Sequence, residues 1–186
     1  MTLTWALLFM ARYPEVQKKV QDELDAVVGQ GQAPSFQDKP KLPYTEAVLM
    51  EIQRYANIVP NGVNHCSSKD MVVNGMTIPA GTLFMPLMVE LLKGSYWGDG
   101  EVFRPERFLD SQGSCKKDNH LIPFSIGKRQ CLGETLAKTE LFLFFTGLVA
   151  RFNIKPKIEG ELPSEDYNNG ITILPKPFHL RLYSRT

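Results

Sequence analysis

The sequence predicts a mainly α-helical fold with small β-sheets, which places the chain in the α+β class. Apolar residues recur at helical spacing in four stretches, and short apolar strands separated by turn residues occupy the middle and the end of the chain. The chain has 186 residues, of which 43% are hydrophobic and 22% charged, so it is long and apolar enough to bury a core.

The four helical patterns have clear breaks between them. The first starts close to the first residue, and Pro14 suits the first turn of the second. Val16 and Val20 lie on one face of that second helix, and Gly29 ends it. Residues 30–43 are rich in Gln, Pro and Lys and are interpreted as a loop. We therefore predict helices over residues 2–12, 14–28, 44–56 and 132–150.

The β-structure is predicted from short strands around turn signals. Asn74-Gly75, between Met71–Val73 and Met76–Ile78, is the strongest two-residue hairpin signal. Another strand is expected over Thr82–Met85. The remaining predictions are a short helix over 86–92, turns over 94–119 and strands near 151–155, 171–174 and 178–182.

Charge and cysteine content exclude several classes of protein. The formal net charge of +1 gives no reason to expect nucleic acid as a partner. Three cysteines are too few for a disulfide framework, and Cys66, Cys115 and Cys131 are too far apart to suggest a zinc site. No apolar stretch approaches the roughly 20 residues that cross a bilayer, so no membrane anchor is expected in this chain.

Two charged motifs are weak signals when taken alone. Glu51 and Arg54 are three residues apart and share a helix face, which by itself indicates an ordinary surface ion pair. Arg107, in the Pro-Glu-Arg-Phe run at 105–108, could lock the turn-rich segment by a forked contact to a carboxylate. A simple salt bridge that fixes a loop is the alternative.

The segment from Phe124 to Gly133 carries a stronger signal. Gly127 permits a tight turn, Gly133 permits close backbone approach, and Cys131 lies between them at the start of the fourth helix. Free N–H groups of the helix, and Arg129 nearby, favour a thiolate, which is a soft iron ligand or a nucleophile. A small cysteine in the core is the alternative.

The three motifs occur in the order ExxR, PERF and FxxGxRxCxG, and this resembles the C-terminal part of a cytochrome P-450 of the microsomal family-two group. The resemblance covers the chain from Leu3 to its end. It implies that residues 1–186 are the C-terminal part of a single domain of that fold, in truncated form. That part would comprise the end of a long central helix, the ExxR helix, β-hairpins, a meander, the cysteine loop, the helix after it and C-terminal strands.

The resemblance also implies a role for each motif. Cys131 would be the thiolate ligand of the iron of heme b, iron protoporphyrin IX, with Arg129 and His65 near its propionates and Phe124 beside the sulfur. Glu51, Arg54 and Arg107 would form a structural charge cluster. The segments implied to line a substrate site contain Val59, Pro60, Gly62, Val63, Gly170 and Ile171.

The function implied by the resemblance is that of a heme-thiolate monooxygenase. Such an oxidoreductase inserts one oxygen atom of O₂ into a small lipophilic substrate such as a steroid, a fatty acid or a xenobiotic. Electrons would come from NADPH through a reductase that docks on Lys116, Lys117, Lys128 and Arg129, although a merely solvated basic face is the alternative. The implied location is the endoplasmic reticulum membrane, or the cytoplasm if the chain is truly truncated.

One departure from the family pattern concerns the start of the chain. The oxygen-activating segment of the family is expected just before Leu3, and the sequence begins at Met1. No catalytic residue is therefore assigned within the chain. The alternative prediction is a non-catalytic fragment with weak or no heme binding.

Overall fold

The computed structural model describes residues 1–185. It confirms a mostly helical architecture with small two-stranded sheets. The five α-helices are α1 (Thr2–Arg12), α2 (Pro14–Val27), α3 (Pro43–Ala56), α4 (Met88–Lys93) and α5 (Glu134–Arg151). The strands are β1 (His65–Cys66), β2 (Met71–Val73), β3 (Met76–Ile78), β4 (Leu83–Phe84), β5 (Phe152–Pro156), β6 (Tyr167–Asn168), β7 (Leu174–Pro175) and β8 (Leu180–Ser184). Short 3₁₀ turns cover Phe36–Lys41, Ser95–Trp97, Pro105–Phe108 and Gly127–Arg129.

The core lies where α1 packs against α2, α3 and α5. Phe9 of α1 is fully buried at its centre, with its ring 4.9 Å from that of Phe103 and 5.4 Å from that of Tyr55. Tyr13 stacks on Phe103 at 4.7 Å between ring centroids. Aromatic packing of this kind adds to the burial of apolar area, and it joins the helices to the segment after α4.

A carboxylate from α2 fixes the start of α3. Glu23 accepts hydrogen bonds from the backbone N–H groups of Tyr44 and Thr45 at 2.8 and 2.7 Å, and from the Thr45 hydroxyl at 2.7 Å. Free N–H groups at a helix start favour a negative partner. The far end of α3 is closed by Asn57, whose φ of 39° and ψ of 58° are left-handed. This positions α3, which carries the charged motif.

The hairpin prediction is confirmed in its register. Met71 pairs with Ile78 and Val73 with Met76. Asn74 and Gly75 both have positive φ, 48° and 79°, as a two-residue turn between twisted strands requires. The other antiparallel pairs are β1 with β4, β5 with β8 and β6 with β7.

Two local predictions were wrong in detail. The expected loop over 30–43 contains the 3₁₀ turn Phe36–Lys41, whose start is closed by reciprocal hydrogen bonds between Ser35 and Asp38. The strand expected near 171–174 is instead a pairing of β6 with β7, and Ile171 lies in the exposed connection between them.

Among residues 1–185, no helix is long and apolar enough to cross a membrane.

Candidate functional site

A fully buried ion pair lies on α3. Glu51 and Arg54 are both 0% exposed, and the guanidinium donates two hydrogen bonds to the carboxylate at 2.7 and 2.9 Å. Arg107, from the turn at Pro105–Phe108, donates from Nε to both carboxylate oxygens at 3.1 Å. The interpretation of Glu51 and Arg54 as a surface pair is wrong, because two arginines share one carboxylate that is removed from solvent.

Backbone carbonyl groups satisfy the other donors of the two guanidiniums. Arg54 donates to the carbonyl oxygens of Leu92 and Gly100 at 2.7 and 2.8 Å. Both arginines also donate to that of Val102, at 3.1 and 2.9 Å. A Cβ added to Gly100 would lie 1.9 Å from the carbonyl oxygen of Lys93, so this close approach requires glycine. Pairing and hydrogen bonding of this kind make the burial of charge tolerable.

Asp99 is a further member that the sequence did not single out. Its carboxylate accepts hydrogen bonds from Arg104 Nε at 2.8 Å and from Arg107 Nη1 at 2.6 Å. These bonds, from Arg104 first and then Arg107, hold the pKa of Asp99 well below its usual range. Asp99 lies between two glycines, a pattern that indicates only a turn, and the fold alone brings it to Arg107. We call Glu51, Arg54, Arg107 and Asp99 the charge cluster.

Trp97 connects the charge cluster to the segment that leads to Cys131. Its ring lies 5.3 Å from the Arg54 guanidinium and 5.9 Å from that of Arg107. It also packs edge-on against Phe108, with ring centroids 5.7 Å apart. Leu121 packs on the same small apolar core. Trp97 therefore packs on the two arginines and shares a small core with Leu121, which precedes the segment of Cys131.

The cysteine loop, residues 124–133, makes a tight backbone turn before α5. Ser125 and Gly127 have positive φ values of 63° and 77°. This conformation is common for glycine and uncommon for serine, so the turn stores some backbone strain at Ser125. The N–H of Cys131 donates to the carbonyl oxygen of Phe124 at 3.0 Å, which closes the loop.

The Cys131 thiol lies just outside α5. The helix begins at Glu134 with Gly133 as its N-cap, two residues later than the expected start at residue 132. A Cβ added to Gly133 would lie 3.9 Å from Cys131 Sγ, an ordinary contact distance. Cys131 is exposed, and among residues 1–185 its Sγ makes no hydrogen bond. The sulfur is therefore available to an external partner.

A cavity of about 540 Å³ opens beside this sulfur. Its size is within the range of small-molecule and cofactor sites, and its walls are mainly apolar. The walls come from the start of α1, the end of α3 and the turn after it, the segment around the start of α4, the cysteine loop and α5. The sequence-predicted residues that line the cavity are Cys131, Arg129, Phe124, His65, Val59, Gly62 and Val63.

Five residues of the predicted site do not line this cavity. Gly127 and Gly133 shape the cysteine loop but lie outside the cavity wall. Pro60 belongs to the turn after α3 without facing the cavity. Gly170 and Ile171 lie between β6 and β7, and Ile171 is 88% exposed. Two segments were expected to line a substrate site. The structure therefore places the segment of Val59–Val63 at the cavity, but not the segment of Gly170 and Ile171.

The side chains around the cavity fit a heme. Cys131 offers sulfur, which serves as an axial ligand to heme iron. Arg129 and His65 offer basic groups that suit carboxylates at the edge of the macrocycle. Phe124 and the aliphatic walls suit its apolar faces. This donor set agrees with an iron porphyrin held through a single thiolate.

The other two cysteines have different surroundings. Cys66 is exposed on β1, and Cys115 is half-buried with its Sγ 3.6 Å from Sδ of Met50. Burial raises the pKa of the Cys115 thiol, which disfavours its thiolate. Neither residue lines the cavity. They provide internal controls for experiments on Cys131.

Comparison with known proteins agrees with this geometry. The family model described as Cytochrome P450 matches residues 1–182. The chain is 45% identical to cytochrome P450 2C23 of Rattus norvegicus, over 99% of this chain and 38% of that protein. It is 44% identical to cytochrome P450 2C44 of Mus musculus, over 99% of this chain and 38% of the relative. It is 42% identical to cytochrome P450 2U1 of Homo sapiens, over 99% of this chain and 34% of the relative. The chain thus spans well under half the length of these relatives, and it belongs to the cytochrome P450 family.

Proposed function

We propose that the Cys131 thiolate would hold the iron of a heme and that the chain is the heme-thiolate part of a monooxygenase. The observation that carries the proposal is the Cys131 sulfur, exposed and without a hydrogen bond among residues 1–185, beside a mainly apolar cavity with basic groups in its wall. When bound, a heme with a thiolate ligand supplies the reductive activation of O₂ for insertion of one oxygen atom into a substrate.

The cysteine loop has the task of presenting the sulfur. The hydrogen bond from the Cys131 N–H to the Phe124 carbonyl oxygen fixes the backbone on both sides of the turn. Phe124 lines the same cavity as Cys131, and an apolar side chain in this wall would limit the access of water to a bound heme, a property that tunes the redox potential of its iron. Lys138 Nζ lies 5.5 Å from the Phe124 ring centroid, which is a cation–π contact.

Arg129 and His65 have the task of orienting the cofactor. They reach the cavity from two different segments, the cysteine loop and β1. Two basic groups on separate elements would bind carboxylates of the cofactor at two places, which would fix its orientation in the cavity. Charge-assisted contacts of this kind also favour binding from water.

The charge cluster acts as a structural support for this site. It joins α3 to the segment containing Asp99 and Arg107, and Trp97 and Leu121 belong to the small apolar core beside it. The loss of one partner would leave a buried charge without its counterion. We assign the cluster no contact with substrate.

The proposed substrate is a small lipophilic molecule, such as a steroid, a fatty acid or a xenobiotic. Val59, Gly62 and Val63 support this class because they contribute apolar wall to the cavity that Cys131 faces. A Cβ added to Gly62 would lie 3.1 Å from the Pro86 carbonyl oxygen, so the wall is closely packed there. Apolar walls select for lipophilic ligands by removing their surface from water.

The proposed electron donor is an NADPH-dependent reductase with an acidic face. Lys116, Lys117, Lys128 and Arg129 are all exposed, and the last two lie within the cysteine loop. Positive charge at this position would steer an acidic partner toward the cofactor. Location at the endoplasmic reticulum membrane stays a prediction from the family resemblance.

Reconstitution with heme tests the proposal. The chain is titrated with hemin, reduced and exposed to CO, and the Soret band is compared among wild type, Cys131→Ser and Cys66→Ser. We expect a thiolate-type band in wild type and in the Cys66→Ser control, and its loss in Cys131→Ser. The same band in Cys131→Ser would overturn the assignment. The titration also gives the heme dissociation constant, which distinguishes a heme-holding chain from the weakly binding alternative.

A further inference from the structure

Helix α5 is apolar on two opposite sides, and this chain covers only one of them. The inner side buries Leu141, Phe142, Phe145 and Val149. The opposite side, which we call the outer face, contains residues at helical spacing that are exposed or half-buried: Leu136, Glu140, Leu143, Phe144, Gly147, Leu148 and Arg151. A helix that is apolar all round is normally covered on all sides. Phe144, which is 57% exposed, has no such cover within residues 1–185.

The exposed area of the whole chain also indicates that a covering partner is missing. A folded monomeric protein of 21.0 kDa exposes about 9,000 Å² of surface, whereas this chain exposes 11231 Å². The excess is about 2,200 Å² on this scale. A stable homodimer buries roughly 2,000–5,000 Å² in total over its two subunits, so burial of half the excess on each chain would be enough.

Gly147 marks a point of close approach on the outer face. Glycine in the interior of a helix is less favourable than alanine, so its presence there needs a reason. A Cβ added to Gly147 would meet nothing within 4 Å, so no contact among residues 1–185 requires a glycine. A large side chain that lay directly against the helix at this point would require it, because a Cβ would then occupy the same space.

We propose that the outer face of α5 binds the same face of a second copy of this chain, with the two helices antiparallel. A two-fold axis midway between Phe144 and Gly147 places the Phe144 ring of each copy against Gly147 of the other. The same axis places Leu143 opposite Leu148. The face is therefore complementary to itself, because its largest exposed ring meets its smallest residue and its leucines meet each other.

The charges of the outer face fit the same arrangement. The axis brings Glu140 of each copy to Arg151 of the other, so the opposite charges meet twice. Among residues 1–185, neither side chain forms a hydrogen bond or an ion pair, so both are available to a partner. A parallel pair in register would instead place Glu140 against Glu140, which is repulsive. Charge complementarity therefore favours the antiparallel second copy. The proposal goes beyond the proposed function and does not depend on it.

Sedimentation velocity across a range of protein concentrations tests the proposal. Glu140 also lines the cavity beside Cys131, so the heme-free chain is used. Wild type is compared with Gly147→Leu, Glu140→Arg, Arg151→Glu and the double charge reversal Glu140→Arg/Arg151→Glu. Glu159→Arg is the matched control, because Glu159 is exposed in the turn after β5 and undergoes the same change of charge. Circular dichroism verifies the helical content of each variant.

We expect a dimer in wild type and in Glu159→Arg. Gly147→Leu fills open space in the single chain with a better helix former, so it should keep the fold and weaken the dimer by about tenfold or more. Each single charge reversal creates two like-charge contacts and should weaken the dimer about tenfold, whereas the double reversal should return it to within about threefold of wild type.

A wild-type chain that stays monomeric at every concentration would overturn the proposal. So would association that Gly147→Leu or the single charge reversals leave unchanged, or that the double reversal fails to restore. The sedimentation is repeated with a separate polypeptide that carries the part of cytochrome P450 2C23 outside the matched region. A chain that is monomeric alone and binds only this polypeptide would overturn the second copy in favour of that occupant.

Discussion

The charge cluster and the cysteine loop carry the most distinctive residues of the chain, and they are held in different ways. In the charge cluster, Glu51 and Arg54 are 0% exposed, and side chains and carbonyl groups of the chain bind every guanidinium group. In the cysteine loop, residues 126–133 are exposed, Leu132 completely so, and a few backbone hydrogen bonds close the turn. The buried groups of the charge cluster find their hydrogen-bond partners within the chain, and this pairing supports the fold. The cysteine loop leaves its sulfur without a partner beside a cavity, an arrangement that suits ligand binding.

The largest expected effect distinguishes two arginines that share Asp99. Arg107→Ala leaves Glu51 buried with one counterion fewer, and we expect a loss of about 3–5 kcal/mol in the free energy of unfolding. Arg104 pairs with the same carboxylate at the surface, with 45% of its side chain exposed, so Arg104→Ala should cost at most about 1 kcal/mol. Urea denaturation measures both. Similar losses for the two variants would contradict the structural importance assigned to burial.

The next effect tests the cysteine loop by proteolysis. Lys128 and Arg129 are exposed within the loop, so trypsin should cleave there in the heme-free chain. With heme at about ten times its dissociation constant, we expect cleavage at these bonds to slow about tenfold. Lys18 and Lys19, exposed on α2, provide the control. Mass spectrometry follows cleavage at the loop and at the control bonds. Equal slowing of cleavage at the loop and at the control would contradict a heme site at the loop.

A smaller effect concerns pH and the edge of the charge cluster. The pKa of Asp99 is lower in the folded than in the unfolded chain. Its carboxylate therefore stabilises the fold above about pH 4, near the unfolded pKa of an aspartate. This contribution to stability is lost as the pH falls from there through the folded-state pKa. Asp99→Asn should therefore be less stable than wild type near pH 6, by no more than about 1 kcal/mol because the carboxylate is partly exposed.

The gap between Asp99→Asn and wild type should close as the pH is lowered below about 4. Asp22→Asn is the matched control, because Asp22 pairs with Lys18 on the surface of α2 with 58% of its side chain exposed. Thermal unfolding from pH 2 to pH 7 measures the difference. A gap for Asp99→Asn that is constant across this range would contradict the assigned role of the carboxylate.

The smallest effect is expected at the most exposed apolar residue of the loop. Leu132 is 104% exposed, so Leu132→Ser should change the free energy of unfolding by no more than about 0.5 kcal/mol. Leu141, on α5, is 6% exposed, and Leu141→Ala should cost about 2–5 kcal/mol. A large loss in Leu132→Ser, measured by denaturation, would show that the loop contributes to the stability of the fold.

Local patterns explain which parts of the structure could be predicted from sequence. The hairpin at Asn74-Gly75 was predicted with its register because a two-residue turn defines the pairing of its strands. The pairing of β6 with β7 was missed, since the exposed Ile171 lies between the strands and gives an apolar signal without burial. The 3₁₀ turn after Ser35 was missed because its Pro and Lys residues suggest a loop.

The same distinction holds for the site. Cys131 and the residues around it form a contiguous motif, so their proximity is visible in the sequence. Asp99 was missed because its partner Arg107 is eight residues away across a turn, and nothing local distinguishes it from a turn residue. The cavity itself could not be predicted, because its walls come from five separate segments.

The bond between the Cys131 sulfur and iron is the central claim, and X-ray absorption at the iron edge tests it most directly. Spectra are compared for the heme-loaded wild type, Cys131→Ser and Cys115→Ser. We expect a sulfur neighbour of iron in wild type and Cys115→Ser, and only nitrogen or oxygen neighbours in Cys131→Ser. A sulfur neighbour that persists in Cys131→Ser, or that is missing from wild type, would contradict the account.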